Sequence, residues 1–272
     1  MNYQLTQPGR RLLTLYQGPG LRLDVVGRVD VFRRMALVEF VLIAGPMVTN
    51  TIAPDIDSYW NSIASAVPVY TPEEQRSALT LYRELAKGEP VALEQFATAS
   101  GVSLPEAKTR LDRPSLRALT YLDDRGRVLG FGGLAVAPMH HRFNVGGRAL
   151  WTWCAWDSLF IPQLLGADAR VESPDPETGE VVRVDVAPAG ITSVLPTTTV
   201  MSFLAPDASA FQKSATSVMK TFCHFVFFFA SRATGELWIA KHPGAFLYSL
   251  EEAAVLARRF NSKNFGLPLR SP

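Results

Sequence analysis

The sequence predicts an α+β fold, with an N-terminal winged-helix-like helical module followed by a mixed α/β-sheet domain. Three observations predict it. Between residues 71 and 111, apolar positions recur at helical spacing behind N-terminal capping signals. From residue 121 to 131, two short apolar runs flank a glycine turn at Gly126. Beyond Pro138 the pattern turns to short strands separated by turn residues, without the regular alternation of a repeated βαβ array.

The 272 residues make one large or two modest domains at roughly 150 residues each. Basic residues number 27 and acidic ones 25, for a net charge of +2, and 47% of the chain is apolar. That balance excludes a wholly disordered or collagen-like chain, and a polycation that grips phosphates by bulk charge. The boundaries expected are an N-terminal extension over 1–70, partly disordered or weakly packed, a winged-helix-like module over 71–138 and the sheet domain over 139–272.

The first 34 residues hold six arginines (Arg10, Arg11, Arg22, Arg28, Arg33, Arg34) against two aspartates and no lysine. Pro8-Gly9 and Gly18-Pro19-Gly20 interrupt any period, so little regular structure is expected there. A disordered tail, a leader upstream of a start at Met35 or Met47, and a membrane- or nucleic-acid-binding arm all stay open. The apolar run from Met35 towards Pro54 contains Glu39 and is broken at Gly45-Pro46, leaving less than the ~18 residues a membrane span needs. Nothing near the start reads as an export signal, so the cytoplasm is the expected compartment, where two thiols stay reduced.

Thr71-Pro-Glu-Glu74 is a capping box with proline at the first helical position. Ala78, Leu79, Tyr82 and Leu85 continue the helix and Gly88 ends it. A second short helix fits 92–99, stopped at Gly101, and Ser103-Leu-Pro-Glu106 opens a third through Leu111. Lys108, Arg110 and Arg113 on or beside that third helix resemble a DNA-reading face, but Glu106 and Asp112 dilute them, and a structural or dimerising module fits as well. Strands are expected at 149–153, 169–172, 181–186 and 193–195. A helix over 155–165 should be interrupted near Pro162, and a last helix should follow Ser249.

Phosphate-loop, Cys-x-x-Cys and His-Glu-x-x-His motifs are absent, and Gly130-Phe-Gly-Gly133 lacks the context of a dinucleotide fingerprint. The adjacent His140-His141 pair reads as a solvated loop. What remains is the two cysteines. Cys154 lies in Leu150-Trp-Thr-Trp-Cys-Ala-Trp-Asp157, where a strand should give way to a helix. Exposed helix N-terminal amides there would favour thiolate. Asp157, three residues on, would share a face with Cys154, and its apolar neighbours would raise the carboxyl pKa. Cys223 lies in a core-like aromatic run, Phe222-Cys-His-Phe-Val-Phe-Phe-Phe229. The residues alone leave each cysteine open between buried packing and reactive thiol.

Trp153-Cys-Ala-Trp-Asp-Ser-Leu-Phe-Ile-Pro162, followed about seventy residues later by Phe222-Cys-His-Phe-Val-Phe-Phe-Phe-Ala-Ser231, resembles the organomercurial (alkylmercury) lyase family. Leu81-Tyr-Arg-Glu-Leu-Ala-Lys-Gly-Glu-Pro90, Thr178-Gly179 and Trp238-Ile-Ala-Lys-His242 extend the resemblance from about residue 71 to 264, leaving the first 46 or so residues outside it. The resemblance implies that 139–272 is a catalytic domain in which Cys154 and Cys223 bind mercury and Asp157 carries the proton. It implies protonolysis of a carbon–mercury bond, giving a hydrocarbon and Hg(II) held by the two thiols. Mercury is then substrate and product, and no organic cofactor is expected. Trp153, Trp156 and Phe225 are the expected pocket residues. Expected partners are organomercurials, small thiols and a mercuric reductase as acceptor, with neither nucleic acid nor membrane. Some relatives have a further cysteine where this chain reads Ser173-Pro-Asp-Pro-Glu177, and some have serine in place of Asp157. The alternative is a non-catalytic soft-metal (mercury or copper) carrier, or a metal-responsive regulator, of the same fold.

Overall fold

A computed structural model describes residues 52–266 throughout and, among the first 51, the backbone of four strands. The chain divides into two compact units, 1–49 and 50–272. In the first, β1 (Gln4–Gln7), β2 (Arg10–Gln17), β3 (Leu21–Arg28) and β4 (Val41–Leu42) pair antiparallel in that order. This differs from the expectation of little regular structure. The Pro/Gly punctuation at 8–9 and 18–20 falls between strands along the chain, so it delimits hairpin-length runs. The candidate apolar span after Met35 lies outside the described residues, apart from the backbone of β4. Among the described residues, no helix is long and apolar enough to cross a membrane.

The second unit opens with α1 (Ile56–Ala66). Asp55 caps it by accepting the N–H groups of Asp57 and Ser58. Tyr59, Ile63 and Ala66 form its buried stripe, and the Tyr59 hydroxyl donates to the Leu204 carbonyl at 2.7 Å. The expectation of weak packing up to residue 70 is therefore corrected for 56–70. Val67 and Tyr70 are buried as well, because this apolar stripe needs a core to cover it.

The three helices expected next are all present, α2 (Pro72–Leu85), α3 (Leu93–Ser100) and α4 (Leu104–Leu111), and a short α5 (Pro114–Arg117) that was not expected follows them. In α2 the Thr71 and Glu74 side chains each accept the other's backbone N–H, at 3.3 and 2.8 Å, a cap worth about 1 kcal/mol. Ala78, Leu81, Tyr82 and Leu85 are fully buried. The basic side chains of the third helix region are held within the unit: Lys108 by Asp112, Arg110 by Glu106 and Glu73, and Arg113 by Glu73. They do not form a free cationic face.

The hairpin β5 (Thr120–Leu122) and β6 (Val128–Phe131) follows as expected, but the sheet does not end there. It continues through β7 (Leu134–Ala135), β8 (His141–Val145) and β9 (Arg148–Thr152). After α6 (Asp157–Leu165) come β10 (Ala169–Pro174), β11 (Val181–Ala187) and β12 (Gly190–Leu195). The order is β12-β11-β10-β8-β9-β7-β6-β5, so one eight-stranded sheet runs across the boundary expected at residue 138. The rest of the unit comprises β13 (Val200–Phe203), α7 (Ala208–Lys213), α8 (Ala215–Thr221), a 3-10 turn at Cys223–Phe225, β14 (Phe228–Phe229), α9 (Arg232–Ile239), β15 (Phe246–Ser249) and α10 (Leu250–Phe265). A second sheet has the order β14-β13-β15, and all described strand pairings are antiparallel. The α+β expectation holds.

Two local expectations fail. Pro162 lies inside α6 without ending it. Residues 157–162 and Leu164 are buried, and that packing outweighs the one backbone N–H the proline lacks. His141 is not solvated: it lies on β8, fully buried, with Nδ1 at 2.8 Å from the Ser173 hydroxyl of β10. Burial drives its pKa well below the ordinary histidine value, so the ring is neutral. Its neighbour His140 stays exposed.

Candidate active site

Cys154 sits in the turn between β9 and α6, two residues past the last strand residue and three before the first helical one. Its carbonyl accepts the Thr152 hydroxyl at 2.8 Å, and its own N–H donates to Asp157 Oδ2 at 2.8 Å. Asp157 is the first residue of α6. The three-residue spacing therefore produces a closed turn in which the carboxylate reaches back to the cysteine backbone.

Cys223 arrives from about seventy residues away, at the start of the 3-10 turn that follows α8. One backbone bond joins the two segments, with the Ala155 N–H donating to the Val226 carbonyl at 3.0 Å. As a result Cys154 Sγ, Cys223 Sγ and a carboxyl oxygen of Asp157 all lie within 4.8 Å of one another. All three residues are buried, and both cysteines are free thiols.

Burial decides the protonation of this cluster. It pushes the Cys154 thiol well above its ordinary value, helped by the adjacent Cys223 and Asp157, and it raises Cys223 as well. The expected thiolate at a helix N-terminus is thus corrected: Cys154 precedes the helix, and desolvation outweighs the dipole. Burial also lifts the Asp157 carboxyl to about 7, against the opposing pull of hydrogen bonds from Cys154. This matches the sequence expectation of a carboxyl able to hold a proton near neutrality.

Asp157 and Cys223 line a cavity of about 40 Å³ whose walls are mainly apolar and rich in aromatic rings, including Trp153, Trp156, Phe160, Phe222 and Phe260. Trp156 is oriented by its indole N–H, which donates to the Ala253 carbonyl at 3.2 Å. Cys154 lies behind this surface and is not part of the lining. Two of the three expected pocket aromatics, Trp153 and Trp156, line the cavity, whereas Phe225 does not. Its ring packs towards Trp238 and His242 in a separate cluster.

Sequence reasoning missed two contributors. The first is Gly133, at φ +102°, where an added Cβ would come within 2.6 Å of Asp157 Oδ1. The Asp157 carboxyl thus rests against bare backbone at this glycine. The Tyr82 hydroxyl donates to the Gly132 carbonyl at 2.7 Å, and the backbone N–H of Trp153 donates to the Gly133 carbonyl at 2.8 Å. The Gly130-x-Gly132-Gly133 run is the visible signal in the sequence, although it lacks the context of a dinucleotide fingerprint. The second is Asn264, buried on the same cavity wall. No motif marks it.

Two buried thiols and one carboxyl beside an aromatic-rich cavity are a donor set that could hold a soft metal ion next to a proton-bearing group. Residues 134–262 match the family model described as MerB, alkylmercury lyase. The alkylmercury lyase of Bacillus cereus is 39% identical over 184 residues, covering 67% of this chain and 79% of that protein. That of Streptomyces lividans is 39% identical over 178 residues, covering 65% and 78%. In fold, the chain is similar to the crystal structure of the mercury-bound form of MerB2, with a TM-score of 0.61 at 20% identity, over 76% of this chain and 98% of that one. The chain belongs to the alkylmercury lyase family.

Proposed function

We propose that this protein is an organomercurial lyase in which Cys154, Cys223 and Asp157 split the carbon–mercury bond by protonolysis. The observation that carries this reading is the meeting of two thiols and one carboxyl within 4.8 Å, drawn from stretches some seventy residues apart. Mercury(II) is soft and prefers sulfur to nitrogen or oxygen. An incoming R–Hg–SR′ exchanges its external thiolate for a cysteine, and the displaced thiol leaves with that cysteine's proton. Cys223 is assigned this capture because it faces the cavity.

The second thiol, Cys154, then attacks mercury as its proton passes to Asp157 and on to the carbon of R. The carbon–mercury bond breaks, a sulfur–mercury bond forms, and the products are R–H and Hg(II) held by two thiolates. An acid with a pKa near 7 suits the task, since it both accepts from a thiol and donates to carbon without a large mismatch. The aromatic walls exclude water and contact R through apolar surface.

The reaction so written requires no organic cofactor, because the electrophile is the substrate's own metal. Two external thiols regenerate the site by taking Hg(II) away and returning two protons. Small cellular thiols, or the thiols of a mercuric reductase, fit that role, and the reducing cytoplasm fits two unbridged cysteines. Phenylmercury incubated with the protein and excess thiol should release benzene, and the Cys154→Ser variant should release none. Benzene at the level of that variant would refute the assignment.

A further inference from the structure

Most polar side chains buried in this unit have partners, as expected when desolvation costs about 1–3 kcal/mol for each group left alone. Asn264 is an exception: it is 1% exposed, and neither its Nδ2 nor its Oδ1 has a hydrogen-bond partner. One turn earlier on the same face of α10, Phe260 lines the same cavity as Asn264. Its neighbour Asn261 provides the contrast. That residue lies outside this cavity's lining, its Nδ2 donates to the Phe160 carbonyl and Gln163 Oε1 at 2.9 and 2.8 Å, and only its Oδ1 is without a partner.

We infer that Asn264 is a specificity-determining residue, whose unpaired amide receives a neutral hydrogen-bonding substituent on the organic group of the substrate. Among the described residues the lining carries no Lys or Arg and Asp157 is its only carboxyl, so an anionic substituent would meet no counter-charge from them. A hydroxyl is neutral and both donates and accepts, matching Oδ1 and Nδ2 together. The class selected is therefore hydroxylated organomercurials, preferred over isosteres that carry a methyl group.

This inference rests on the lyase reading, and the test keeps the two apart. 4-Hydroxyphenylmercury and p-tolylmercury differ by hydroxyl against methyl. The Asn264→Leu variant should lower kcat/KM for the hydroxyl substrate at least about tenfold more than for the methyl one, with the difference in KM. Equal losses on both would overturn the inference. The unaltered protein supplies a second measurement that needs no variant: calorimetric binding of phenol and toluene. Phenol should bind about tenfold more tightly despite its better solvation in water, and equal or weaker binding would overturn the inference. A protein that turns over neither mercurial refutes the lyase reading, and the phenol–toluene comparison still decides the role of Asn264.

Discussion

The Ala155 N–H meets the Val226 carbonyl at 3.0 Å, and through this bond the turn that carries Cys154 is tied to the turn that carries Cys223. Each cysteine is one or three residues from the bond, so the thiols are brought together by the backbone before any metal joins them. A preformed pair spares the substrate the cost of assembling its own ligands.

Gly133 should tolerate no side chain. At φ +102°, with Asp157 Oδ1 2.6 Å from the position of a Cβ, Gly133→Ala must displace the carboxyl or strain the turn. A shift of about 1 Å in an acid costs roughly 100-fold in kcat. Hydrocarbon release should fall by that order while circular dichroism shows the fold intact. Unaltered kcat would show that the position of Asp157 does not matter to the reaction.

Stability should fall as pH rises from about 4 to 7. Asp157 has a carboxyl pKa near 3.8 when exposed and about 7 in the folded chain, so over this interval the native state binds a proton that the unfolded state has lost. The contribution is fully present below pH 4 and gone above 7, an upper bound of about 4 kcal/mol. Urea midpoints measured across that range for the parent and for Asp157→Asn should differ in slope, the variant lacking this component. Parallel slopes would place the Asp157 carboxyl at its ordinary value.

Both thiols should be slow to react. Burial raises Cys154 and Cys223, and the thiolate is the reactive form. An aromatic disulfide reagent at pH 8 should modify the native protein at least about 100-fold more slowly than the urea-unfolded chain, in which two thiols titrate quickly. Two rapid thiols in the native state would mean that the site opens freely to solvent.

Tyr82→Phe should destabilise the protein and loosen the site together. It removes the donor to the half-buried Gly132 carbonyl, at a cost of about 1 kcal/mol or somewhat more. For a chain of this size that lowers the thermal midpoint by roughly 2 °C or more, and kcat should fall with it because Gly133 is the next residue. A lower midpoint with unchanged kcat would limit the tyrosine to a structural role.

Helix ends were legible because their causes are local. Thr71 with Glu74, Ser103, and Gly101 with φ +66° act within one turn, and the structure keeps each boundary within one or two residues of expectation. The hairpin at 121–131 was legible for the same reason. What failed depended on remote neighbours. His141 is buried because β10 pairs with β8, Phe225 turns away because α9 offers it Trp238, and α6 passes through Pro162 because its surroundings enclose it.

The linear order of residues by itself determined which groups could do the chemistry: two cysteines with an aspartate three positions after the first, set among aromatics, and helices whose caps are written in four-residue words. Tertiary structure alone decided that the sulfurs meet, that Gly133 backs the carboxyl, and that Asn264 faces the same cavity. It also decided that the thiols stay protonated rather than ionised. Hydrogen bonds within a turn depend on a few adjacent residues, whereas burial, and the pKa that follows from it, is set by residues from tens to about a hundred positions away in the chain.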